Sequence, residues 1–172
     1  DLDFADLVLK LAPGLPHIKR YVALCHPAQL PALDLPGLCA YEDLLAQGET
    51  DWEWPSFDEH TASSMCYTSG TTGNPKGVLY SHRSTMLHAY ATMMPDALGI
   101  SRSDVVLPIV PMFHVNAWGN PYSCPMAGAK LVFPGSKMGD GQTICALINE
   151  EKVTLSAGVP TVWLGMLAHL KA

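Results

Sequence analysis

The run Thr68-Ser69-Gly70-Thr71-Thr72-Gly73-Asn74-Pro75-Lys76-Gly77 gathers the groups best suited to holding a polyanion. Gly70, Gly73 and Gly77 let the backbone turn and expose its N–H groups. Thr68, Ser69, Thr71 and Thr72 add four hydroxyl donors, and Lys76 adds one fixed positive charge. Nothing in the run is acidic or bulky and apolar, so a row of phosphates would meet only donors. Lys76 would neutralise part of the negative charge of a bound phosphate. A polar hairpin turn uses the same residue types and would leave Lys76 solvated. Hairpin turns span about two to five residues, however, and this run has ten without an apolar anchor.

The run is not a Walker phosphate loop. Pro75 stands where that pattern needs its second glycine, and Lys76 is followed by Gly77 rather than by a hydroxyl. Walker loops also open directly into a helix. Here residues 63–67 and 78–80 read as strands, with Ser81 as the N-cap of a following helix. The expected site is a glycine-hydroxyl loop between two strands, mobile enough to close over its ligand.

Two further segments stand at the ends of predicted strands. The apolar run 105–110 leads into Pro111-Met112-Phe113-His114-Val115-Asn116-Ala117-Trp118-Gly119, which would bring His114 to a ligand crevice at a strand end. A hydrogen-bonded corner histidine and a core tryptophan are the plain alternatives for His114 and Trp118. Gly158-Val159-Pro160-Thr161 follows the strand predicted at 153–156 and opens a helix, which ordinary turn chemistry with a Thr161 cap also explains. Other constellations are absent from the sequence. There is no H-E-x-x-H or G-x-S-x-G motif, and His82 and His88 fall on different helix faces. Met86, Met93, Met94 and Met126 read as core.

The elements that would position these groups alternate. A short amphipathic helix is expected over 1–11, a strand over 18–25, a proline-rich loop over 26–37, one or two helical turns over 41–46, and an acidic surface connection over 49–62. Residues 81–94 carry helical spacing closed by Pro95. The run 105–110 is continuous enough to be a strand covered on both faces. Residues 118–126 should be helical only in part, because Pro121 and Pro125 interrupt them. Strands at 130–133 and 153–156 and helices at 141–152 and 161–170 complete the pattern. That alternation implies an α/β fold with right-handed crossovers and a largely parallel sheet flanked by helices.

The 172 residues, 48% of them hydrophobic, suffice for one domain with a core. A net charge of -6 argues against nucleic acid or acidic membranes as partners. No apolar run is as long as a transmembrane segment. Five cysteines without a C-x-x-C pair fit reduced thiols and a cytoplasmic location.

The stretch Tyr67–Val78 resembles the signature of the adenylate-forming, AMP-binding superfamily of acyl-CoA synthetases, peptide-synthetase adenylation domains and luciferases. Residues 111–119 and Ala157-Gly158-Val159-Pro160-Thr161-Val162-Trp163 are similar to that family's next motifs, in the form of the medium- and long-chain fatty acyl-CoA synthetases. The resemblance implies phosphate binding by Thr68, Ser69, Gly70, Thr71, Thr72, Gly73 and Lys76. It implies that Thr68 is one ligand of Mg²⁺, in a site completed by a glutamate beyond residue 172. His114 would lie beside the carboxylate being activated, as the candidate catalytic residue. Trp118 would close the mouth of the acyl tunnel. Val115, Asn116, Gly158, Val159, Pro160 and Thr161 would share the acyl pocket with His114.

The implied ligands are a fatty acid, ATP, Mg²⁺ and coenzyme A, with a homodimer left open. Residues 1–172 would be one partial domain, a piece of the large N-terminal domain lacking the C-terminal lid. Such a piece, without the family's later lysine, hinge and ribose-binding aspartate, should make no acyl-CoA by itself. An aryl- or amino-acid-activating relative, a non-catalytic nucleotide-binding module and a structural domain remain as alternatives.

Overall fold

The structure is a computed structural model that describes residues 2–68 and 73–171. It divides into two compact units, Asp1–Pro55 and Ser56–Ala172. In the first unit a 3-10 turn at Leu2–Phe4 leads into α1 (Ala5–Leu11), and Pro13 falls in the 3-10 turn that follows. β1 (Val22–Ala23) pairs in parallel with β2 (Cys39–Ala40), which runs directly into α2 (Tyr41–Leu45). Leu35 and Ala40 are buried here. The strand expected over 18–25 is only two residues long. An extended run becomes a strand only where a partner backbone is available, and β2 offers two residues before it turns helical.

The second unit opens with the antiparallel pair β3 (Ala62–Tyr67) and β4 (Gly77–Ser81), in register at Cys66↔Val78 and Tyr67↔Gly77. The ladder continues one step further, with the Thr68 N–H donating to the Lys76 carbonyl at 2.9 Å. α3 (His82–Met93) starts where Ser81 was expected to cap it, and the Ser81 hydroxyl accepts from the Ser84 N–H at 3.1 Å. Then come β5 (Val105–Ile109), α4 (Asn120–Ala127), β6 (Lys130–Leu131), α5 (Gly141–Glu150), β7 (Leu155–Gly158) and α6 (Pro160–Lys171). The three strands form a parallel sheet in the order β6-β5-β7.

β5 is central, and its side chains alternate between two cores as a period of two requires. Leu107 and Ile109 pack with Ile144 of α5 and with Val162, Trp163 and Met166 of α6. Val106 packs the other way, against Cys124 of α4 and Met93 of α3. Successive crossovers run from β5 to β6 and back past β5 to β7, so right-handed connections must place their helices on opposite faces. The expected α/β architecture with a parallel sheet flanked by helices is thus observed.

Several boundaries differ from expectation. β6 stops at Leu131. α5 ends at Glu150, because Lys152 takes a left-handed φ of +56°. β7 begins two residues late, at Leu155. α4 is continuous rather than interrupted: Pro121 lies in its first turn, where no N–H is needed, and Pro125 deletes a single internal hydrogen bond. Met86, Met94 and Met126 are exposed rather than core: Met86 and Met126 lie on faces of α3 and α4 that the described residues leave open, and Met94 is the extended residue that ends α3. All five cysteines are free thiols, with Cys66 and Cys124 buried.

The start of β5 is pinned to β7 by Asp104. Its carboxylate accepts from the Ser101 N–H and hydroxyl, both at 2.8 Å, and from the Thr154 hydroxyl at 2.8 Å. These bonds favour the ionised form and hold its pKa below the ordinary carboxylate value of 3.8. A depressed folded-state pKa contributes stability above the unfolded value, and that contribution is lost as pH falls through the folded one. Asp104→Asn should therefore lower the denaturation midpoint at neutral pH. Its deficit relative to wild type should shrink below about pH 4, as read from urea titrations at several pH values.

Candidate functional site

The crevice that opposite-facing crossovers create lies outside the carboxyl ends of β5 and β6. A cleft of about 350 Å³ opens there, lined by Val110, Met112 and Phe113 after β5 and by Phe133, Pro134 and Met138 after β6. All of these side chains are apolar. A second cavity, of about 270 Å³, lies between β4, α3 and α4 and is lined by Tyr80, Thr85, His88, Val115, Asn116 and Tyr122. The segment joining β5 to α4 contributes to both, with Ala117 on the first and Val115, Asn116 and Gly119 on the second.

That segment runs left-handed. Val115, Asn116, Ala117 and Trp118 have φ between +48° and +55°, and Gly119 follows at +74°. Each non-glycine residue in this conformation costs on the order of 1 kcal/mol or more, and a β-branched residue such as Val115 adopts it rarely. Three side-chain hydrogen bonds hold the turn. The Asn116 Nδ2 donates to the Ser64 hydroxyl at 3.0 Å, and its Oδ1 accepts from the Cys66 thiol at 3.2 Å. His88 Nε2 lies 3.1 Å from the Trp118 carbonyl. A carbonyl only accepts, which places a proton on that nitrogen. The His88 ring also fills the space beside Gly119, where a Cβ would stand 2.5 Å from Cδ2.

The expected phosphate-binding residues divide. Ser69, Gly70, Thr71 and Thr72 lie outside the described residues. Thr68, Gly73 and Lys76 are exposed at the open end of the β3–β4 ladder. The Thr68 hydroxyl accepts from the Lys76 N–H at 3.2 Å, closing the neck of the loop. The Lys76 ammonium has no ion-pair partner among the described residues. No group of three or more His, Cys, Asp or Glu that could hold a metal forms among those residues. One threonine hydroxyl does not make a Mg²⁺ site.

The expected acyl-pocket residues do not converge on one cavity. Val115 and Asn116 line the second cavity, whereas His114 and Trp118 line neither. His114 is exposed, and its N–H bonds the Pro111 carbonyl. Trp118 is 43% exposed, so it is not a core residue. Gly158 pairs with Ile109 and packs against the Trp163 ring, whose Nε1 donates to the Gly158 carbonyl at 3.0 Å. Val159, Pro160 and Thr161 are exposed after the carboxyl end of β7, on the sheet edge from which the His114 segment also leaves. Sequence reading missed His88, Ser64 and Cys66, whose partners lie 30 to 52 residues away. A glycine after Trp118 was the only local hint of a crowded, left-handed turn.

A model of the AMP-binding enzyme family matches residues 10–172. The chain belongs to that family. It is 54% identical over 168 residues to a medium-chain-fatty-acid–CoA ligase of Ectopseudomonas oleovorans, covering 98% of this chain and 31% of that protein. It is 54% identical over 170 residues to a 3-methylmercaptopropionyl-CoA ligase of Ruegeria lacuscaerulensis, again 98% of this chain and 31% of the relative. The chain thus spans less than a third of the length of these relatives. The fold matches the N-terminal domain of FACL13 from Mycobacterium tuberculosis with a TM-score of 0.65 at 24% identity, covering 92% of this chain and 41% of that one. No helix among the described residues is long and apolar enough to cross a membrane.

The left-handed turn of this AMP-binding chain has a direct test. Gly119→Ala should lower unfolding stability by about 1–3 kcal/mol, through positive φ and collision with His88. Adding His88→Ala should remove the collision but not the φ penalty, giving a double variant less impaired than the two separate losses summed, as read from denaturant melts.

Proposed function

We propose that this chain is the phosphate- and acid-binding part of a fatty acid–CoA ligase working in the cytoplasm. The fatty acid carboxylate attacks the α-phosphorus of ATP, a new C–O–P linkage forms, and pyrophosphate leaves. The coenzyme A sulfur then attacks the carbonyl carbon of the acyl-adenylate, and AMP departs with the bonding pair. AMP is a far better leaving group than oxide, which is why ATP is spent. Mg²⁺, when bound with ATP, adds charge neutralisation through the phosphates.

The observation that carries this reading is the joining of two sites. The hairpin ending in Thr68 and Lys76 is hydrogen-bonded through Asn116 to the turn that bears His114. The residues of this chain would act by position and charge. A carboxylate is already ionised at neutral pH and needs no general base, so alignment with the α-phosphorus is the main requirement. Lys76 meets the phosphate charge, and His114 orients the acid. The acyl tail enters the cavity between α3, α4 and the left-handed turn, where Val115 and Asn116 stand. The strong identity to the Ectopseudomonas oleovorans ligase favours a medium-chain acid. The Ruegeria lacuscaerulensis relative shows that a similar sequence serves a short thioether acid.

Two experiments on the full-length protein test this. Lys76→Ala should lower kcat for octanoate-dependent pyrophosphate release by roughly a hundredfold, the effect of losing one charged transition-state contact. Its melting temperature should not move, because Lys76 is exposed; unchanged turnover would remove the phosphate assignment. Thr85→Trp should fill the second cavity and cut kcat/KM for the longest saturated acids by about tenfold or more, sparing butyrate. Met138→Trp in the apolar cleft should leave the chain-length profile alone. The reverse pattern would move the tail to that cleft.

A further inference from the structure

We propose that the seam between α3 and α4 is a binding site for one internal water molecule, held by the side chains of Asn120, Thr92 and Ser123. The site goes beyond the function proposed above and does not depend on it.

Among the described residues, Thr92, Asn120 and Ser123 are the buried polar ones, at 7%, 1% and 0% exposure. All three fall where α3 and α4 lie side by side. The His88 ring stands against Gly119, and Met93 packs on the cluster that contains Cys124. Residues 89–92 of α3 therefore run beside residues 120–123 of α4. The rest of the buried interior is apolar, so the polar groups gather in this one seam.

Their hydrogen bonds do not balance. The Thr92 hydroxyl donates to the Ala89 carbonyl at 2.8 Å, and the Ser123 hydroxyl donates to the Gly119 carbonyl at 3.2 Å. Each hydroxyl has a single proton, so both donors are used while both oxygens keep acceptor capacity. Asn120 Nδ2 and Oδ1 are shielded from bulk solvent and have no partner among the described residues. An amide left in that state forfeits the hydration it had in the unfolded chain. Backbone donors are scarce nearby, since Pro121 and Pro125 bring no N–H to α4. The seam thus offers two amide protons, one amide oxygen and two hydroxyl oxygens. Water is the smallest molecule that serves them together, accepting from Nδ2 and donating to two of the oxygens. Internal waters make about three such bonds. None of the three side chains is charged, so an ion would find no counter-charge there.

The experiment is a crystal structure of the full-length protein, at a resolution that orders internal solvent, for wild type and Asn120→Leu. Urea unfolding is measured alongside for Asn120→Leu, Thr92→Val and the double variant. Wild type should show one water within hydrogen-bond distance of the Asn120 amide and of at least one of the two hydroxyls. Asn120→Leu should lose that water. Thr92→Val should lower the unfolding midpoint of wild type but hardly move that of Asn120→Leu, from which the shared water is already gone. An Asn120 amide bonded directly to a protein group, or one with no water beside it, would overturn the proposal. Equal shifts from Thr92→Val in both backgrounds would do the same, because residues without a shared ligand contribute independently. If Asn120→Leu does not fold, the wild-type density at the amide decides alone.

Discussion

Four non-glycine residues held at positive φ between β5 and α4 are the constraint on which the second unit is organised. Each costs on the order of 1–2 kcal/mol, while a single hydrogen bond contributes about 1 kcal/mol net. No one anchor can therefore hold the turn. It persists because several act together: Asn116 on β3, His88 under the Trp118 carbonyl, and Ala117 buried at 1% exposure. Glycine at 119 is the condition for the His88 contact, since any side chain there would occupy the space of the ring. The conformation of the turn is thus a property of β3, α3 and α4 jointly rather than of residues 115–119 themselves.

The sheet explains why the turn stands where a ligand could reach it. β5 is buried along most of its length and alternates its side chains between two helical layers, so its carboxyl end is fixed from both faces. β7 is held in register beside it, Ile109 against Gly158, and the Asp104 carboxylate ties their opposite ends through Thr154. Loops leaving such strands inherit the rigidity of the sheet. The His114 segment and the Gly158 segment emerge on the same edge, and the Gly158 backbone is packed by the Trp163 ring from α6. The acyl-pocket assignment grouped residues that share this edge but do not all face one cavity.

The run 68–77 stands out in the sequence as a phosphate-binding candidate because its chemistry is local: glycine, hydroxyl and lysine at fixed spacing need no distant partner to be noticed. β5 was legible for the same reason, as a continuous apolar run has few other fates. The Ser81 cap and the alternation of elements after residue 105 also followed from short-range rules. The left-handed turn did not. Val115, Ala117 and Trp118 have no preference for positive φ, and what forces them there are contacts made 30 to 52 residues away. The strand over-extended at 18–25 failed for the complementary reason, because apolar β-formers do not make a strand without a partner. Exposed Met86, Met94 and Met126 show that helical spacing identifies an apolar face without saying what covers it.

A reaction whose nucleophile is already charged places unusual demands on its enzyme. Acid–base machinery would add little, and the clearest acid-strengthening environments among the described residues lie elsewhere. Asp58, Asp104 and Asp140 have lowered pKa values because they accept hydrogen bonds from neighbouring turn and cap residues, which is structural work. What limits the rate is the distance and angle between a carboxylate oxygen and a phosphorus atom, and errors of about 1 Å are costly. In the proposed reaction the loop would supply charge, which is forgiving of position because Coulomb attraction falls off slowly. The turn would supply geometry, which is not. In such a site the residues that fix one part relative to another matter most, and the side chains that tie the left-handed turn to its neighbours are Asn116, bonded to Ser64 and Cys66 of β3, and His88, bonded to the Trp118 carbonyl.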